Sequence, residues 1–145
     1  MAYRDLEKRR EVGRRCGNRY YKKHRDAVLK KQKVRYAQNL FRNWASHSLV
    51  HHKESGFIIR ISTRELEELA KASTFCPICD APLLWGKNKV GSRSPTLDRK
   101  NNENFLFLDN VWIICNLCNR TKSNRTFKEF IEYCEKITNK FKDRC

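Results

Sequence analysis

The chain has 145 residues, 39% hydrophobic and 33% charged, with a formal net charge of +16. That length favours one compact domain with an extension, and the apolar fraction supports a modest core that needs a staple. No apolar run approaches the ~20 residues that span a bilayer and no secretory stretch opens the chain, so the expected location is cytoplasmic and structural disulfides are not expected among the seven cysteines.

The charge is uneven. Residues 1–45 hold 15 Lys/Arg against 4 Asp/Glu, whereas residues 46–145 hold 17 against 12. A basic arm on a milder domain points to a polyanionic partner, of which nucleic acid is the commonest. From Ala2 to about Gln38 the arm is rich in Arg, Lys and helix formers, with Gly13 and Gly17 expected to interrupt it and Tyr20, Tyr21 and Tyr36 interleaved. Apolar residues are too sparse there for a core, so a charged helix contacting phosphates is expected. In 39–54, Leu40, Phe41, Trp44, Leu49 and Val50 recur at helical spacing, and Gly56 is placed as the stop. His47 and His51 lie four apart on that helix and could hold a metal, but without a supporting acid they read as surface or packing residues.

The segment 56–62 reads as extended. Ser62 and Glu65 form a capping-box signature for a helix that Ser73-Thr74 ends. Cys76-Pro-Ile-Cys79 and Cys115-Asn-Leu-Cys118 then match two zinc knuckles, in which tight turns present two thiolates each to one tetrahedral ion. The 35 residues between Cys79 and Cys115 exceed the about 15–20 of simple four-cysteine fingers, so a substructure must lie between them. Residues 94–100 read as a strand, 101–109 as a loop with apolar anchors, 110–115 as a second strand and the following NLCNRTKS as a short helix. Thr126 and Glu129 form a second capping box opening a terminal helix, on which Cys134 is expected to pack; Cys16 has no assigned role, and Cys145 reads as an exposed thiol.

Both cysteine pairs, LDR at 97–99, DNV at 109–111, CNLCN at 115–119 and Lys122 resemble the HNH nucleases, also called the ββα-metal or His-Me finger family, in their phage-type form with four zinc cysteines. The resemblance covers about residues 55–140. It implies an α+β fold: a zinc-stapled ββα-metal nuclease core over 55–145, with a basic, mainly helical nucleic-acid-binding arm over 1–54. It implies Cys76, Cys79, Cys115 and Cys118 as ligands of a structural Zn²⁺. Asp98 and Asn119 would hold a catalytic Mg²⁺ or Mn²⁺, and Asn110 would brace the loop. Lys122, Arg120 and Arg99 would meet the phosphates of double-stranded DNA. The oligomeric state is open, a homodimer included.

Carboxylate and amide oxygens are hard ligands that suit Mg²⁺ or Mn²⁺ better than the thiolate site does. One departure is marked. Arg99 stands where the family has a histidine, and a guanidinium that stays protonated is a poor general base. Either His24, His47, His51 or His52 supplies the base, or the metal alone activates water, or the chain is a catalytically inactive, zinc-stabilised nucleic-acid-binding module.

Overall fold

The computed structural model describes residues 2–86 and 89–142; Cys145 lies outside them. The chain divides between Asn39 and Leu40, not after Glu54 as the sequence suggests. The reason is the helix over 40–54: its apolar face is buried at Ala45 and Leu49, within the core of the second unit.

The first unit is one helix, α1 (Ala2–Gln38). No described residue in it is buried. Gly13 and Gly17 do not interrupt it. The one break in helical geometry falls at His24 (φ −120°, ψ 21°), whose ring lies 4.5 Å from that of Tyr20. A glycine inside a helix costs about 1 kcal/mol relative to alanine, which lowers helix stability without forcing a bend.

The second unit begins with α2 (Leu40–Glu54). Its end is a Schellman motif at the expected glycine: Gly56 takes φ +88°, its N–H bonds Lys53 O at 3.1 Å, and Phe57 N–H bonds His52 O at 3.0 Å. The chain then runs through β1 (Ile58–Ile59) into α3 (Thr63–Ala72), which opens on the full Ser62–Glu65 capping box. Across the following loop, Trp85 meets Phe41 and Trp44 of α2 edge-on, with centroids 4.8 and 5.2 Å away.

The expected two strands are β2 (Pro95–Arg99) and β4 (Val111–Cys115). They pair antiparallel, with Pro95 opposite Cys115 and Asp98 opposite Trp112. Between them the loop makes β3 (Phe105–Leu106), which pairs in parallel with β1, and a 3-10 turn over Leu108–Asn110. β4 runs directly into α4 (Asn116–Lys122), and α5 (Phe127–Phe141) follows from the Thr126–Glu129 capping box. Leu66, Ala70, Leu97, Leu106, Ile113 and Ile114 form the centre of one apolar core that holds α2, α3 and the hairpin together. Each large aliphatic side chain there contributes about 1.5–3 kcal/mol by leaving water. No helix among the described residues is long and apolar enough to cross a membrane.

Candidate functional site

The four knuckle cysteines converge. Their sulfurs all lie within 4.8 Å of one another, and the Sγ atoms of Cys79 and Cys115 are 3.8 Å apart. A tetrahedral ion with metal–sulfur bonds near 2.3 Å places its sulfurs about 3.8 Å apart, so the cluster fits a metal. Among the described residues these four are the one group of three or more Cys, His, Asp or Glu side chains placed to hold an ion, and His47 and His51 belong to none.

Each half is built locally. After Cys79 the chain turns back through Asp80 (φ +54°), whose N–H bonds Cys76 O, while Cys76 N–H bonds Ala81 O. Cys115 ends β4 and caps α4, its sulfur accepting the Cys118 N–H at 3.4 Å. Burial pushes the Cys115 and Cys118 thiols up. Burial also acts upward on Cys76, but hydrogen bonds from the backbone of Cys115, Ile78 and Cys79 outweigh it and leave that thiol at about 7. Sulfurs this close resist joint deprotonation, and a cation among them removes that resistance. Outside the cluster, Cys134 is exposed and not packed as expected, because it falls on the solvent side of α5.

The hairpin and α4 meet at Asp98. Trp112, its cross-strand partner, donates its indole N–H to Asp98 Oδ2 at 2.7 Å. Lys122 Nζ lies 3.3 Å from Oδ1 and 3.2 Å from Oδ2. This corrects the expectation for Lys122: its side chain is 2% exposed and points into the protein, against a carboxyl side chain that is 10% exposed. An inward lysine needs an anion, and Asp98 is that anion.

Asn119 is half-buried and lies three residues before Lys122, hence on the same face of α4. Its amide and the Asp98 carboxylate offer hard oxygen donors, so the chemistry of the pair suits Mg²⁺ or Mn²⁺, although the Lys122 ammonium shares the carboxylate. Asn110 is 2% exposed and ties the loop across, accepting from Asn101 N–H at 2.9 Å and donating to Phe105 O at 3.4 Å. Arg99 donates to Glu103 O at 2.8 Å and lies 4.3 Å above the Phe57 ring. Arg120 is exposed on α4.

Two neighbours of these residues were not singled out from sequence. Trp112 is found only once the hairpin register sets it opposite Asp98. His52 was one of four histidines with nothing to separate them. It lies 5.7 Å from the Phe57 ring that carries Arg99, and its Nδ1 is 2.8 Å from Ser48 O. A carbonyl only accepts, so Nδ1 holds the proton and Nε2 the lone pair. Burial lowers the His52 imidazole below its ordinary 6.5; the Ser48 bond opposes this, the His51 and Arg99 charges add to it, and Asp98 opposes it.

No family model, curated protein or solved structure matches this chain.

Proposed function

We propose that this protein is a DNA endonuclease of the ββα-metal type, cleaving phosphodiester bonds with a divalent ion at Asp98 and Asn119. The observation that carries the reading is the position of Asp98, held by Trp112 on the neighbouring strand and facing the helix that bears Asn119 and carries half of the four-sulfur cluster. In this reading Zn²⁺ fills the cluster and holds hairpin and helix in register. Asp98 and Asn119 would hold Mg²⁺ or Mn²⁺, which would supply positive charge to a phosphoryl group and its leaving oxygen.

The chain's own residues divide the rest of the work. The Arg99 guanidinium, steadied by Phe57 and Glu103, offers its charge to the phosphate. Water loses a proton to His52 Nε2 as its oxygen bonds to phosphorus; the ester P–O bond breaks, and the departing oxygen takes a proton from solvent. Burial keeps His52 neutral and able to accept. Exposed Arg120 and the basic α1 hold double-stranded DNA through its phosphates.

The test is plasmid nicking with Mg²⁺ or Mn²⁺ by wild type and Asp98→Asn. Asparagine is chosen because alanine would leave the buried Lys122 ammonium with no oxygen to bind. Loss of nicking with duplex affinity and cluster metal retained is expected. Wild type that cleaves no form of DNA with either ion removes the proposal. A second reading, a zinc-stabilised nucleic-acid-binding module without catalysis, is favoured by one observation: the Asp98 carboxylate already has an ammonium against both its oxygens.

A further inference from the structure

Lys122 combines two properties seldom found together in a lysine. It ends a helix, and its side chain is almost wholly buried. Taking an ammonium and a carboxylate out of water costs several kcal/mol per ion, so each is tolerable only while the other is in place. Trp112 adds a hydrogen bond to the carboxylate but no charge. The single negative charge of Asp98 is therefore already matched.

The charges nearby sharpen the point. Arg99 follows Asp98 in β2, and among the described residues Asp98 belongs to no group of three or more Cys, His, Asp or Glu side chains placed to hold an ion. A divalent ion arriving with Lys122 in place would bring two more positive charges to one negative group that is already neutralised. Between two cations sharing one partly buried carboxylate such repulsion is large. A lysine has a compact charge on a flexible four-carbon stem, so the ammonium can leave without the helix moving. What draws it off must be anionic, and must add negative charge where the ion enters. A phosphodiester meets both needs.

We propose that Lys122 is the resident counter-ion of Asp98 and governs cation entry: the carboxylate takes up Mg²⁺ or Mn²⁺ when a nucleic-acid phosphodiester draws the ammonium away. This rests on the reading of Asp98 as an ion ligand. It makes metal loading and substrate binding one coupled event, because each removes the charge imbalance that the other creates. The free protein is thereby kept without its catalytic cation in the presence of ordinary magnesium.

Mn²⁺ binding tests this, followed by the paramagnetic resonance of free Mn²⁺, on the full chain with its cysteine cluster loaded. Wild type, Lys122→Met and the double variant Lys122→Met/Asp98→Asn are compared with and without a short DNA duplex, uptake by DNA alone being subtracted. Lys122→Met should bind Mn²⁺ about tenfold or more tightly than wild type without DNA. The double variant should lose that gain, and the duplex should confer Asp98-dependent uptake on wild type. Lys122→Met leaves Asp98 unpaired and should melt below wild type, with Mn²⁺ restoring part of the loss. Lys122→Gln keeps a donor without the charge and carries the same expectation should the methionine variant not fold.

Equal Mn²⁺ affinity in wild type and the lysine variants overturns the proposal, as does tight Asp98-dependent binding by wild type without DNA. Nicking separates this from the parent reading. Mn²⁺ uptake as described with no cleavage removes the nuclease and leaves the counter-ion; cleavage with unchanged affinity in the lysine variants does the reverse.

Discussion

His52 shows how one side chain takes its protonation state from its surroundings. Nothing in VHHKE distinguishes it from His51, yet burial and the Ser48 carbonyl select both its charge state and its tautomer. Its folded-state pKa lies below the unfolded value, so between the two the unfolded chain binds more protons. The associated stability is complete above about 6.5 and is lost as pH falls through the folded value. His52→Gln should therefore flatten the acid side of the stability curve measured by chemical denaturation between pH 7 and 5. Asn110 is the opposite case. The resemblance implied a brace at this position; the Asn110 amide accepts from Asn101 N–H and donates to Phe105 O. Asn110→Ala removes both of these hydrogen bonds and should cost about 1–3 kcal/mol in urea unfolding.

Elements whose signals are local were legible in the sequence. Both capping boxes, the Gly56 stop and the two strands of the hairpin lie where short-range chemistry places them. Thr126→Ala removes the hydroxyl that accepts the Glu129 N–H, and should lower stability by about 1 kcal/mol in thermal unfolding. Features that depend on distant partners were not legible. The parallel β1–β3 pair joins residues 47 positions apart, and no pattern in a two-residue strand announces it. Lys122 read as a surface cation because its anion lies 24 residues earlier and one hairpin away. The four sulfurs were legible because cysteine spacing is itself a geometric code, whereas an inward lysine has no signature of its own.

At the scale of the molecule, charge and fold are divided between the two units. Residues 1–39 carry 14 Lys/Arg against 4 Asp/Glu, and residues 40–145 carry 18 against 12, along with the core and the cysteine cluster. Deleting 1–39 should leave cooperative unfolding and cluster metal content intact. It should weaken duplex binding and make the slope of log affinity against log salt shallower, as measured by fluorescence anisotropy. The cluster that anchors the second unit is open on one side: Cys76, Cys115 and Cys118 are buried, and Cys79 is exposed. Peroxide therefore meets one sulfur before the others, and conversion of Cys79 to a sulfenic acid would cost the cluster one of its four ligands while Cys76 and the hairpin pair keep theirs. Oxidative inactivation would begin at a single address and remain reversible by a small thiol for as long as the remaining three sulfurs stay covered.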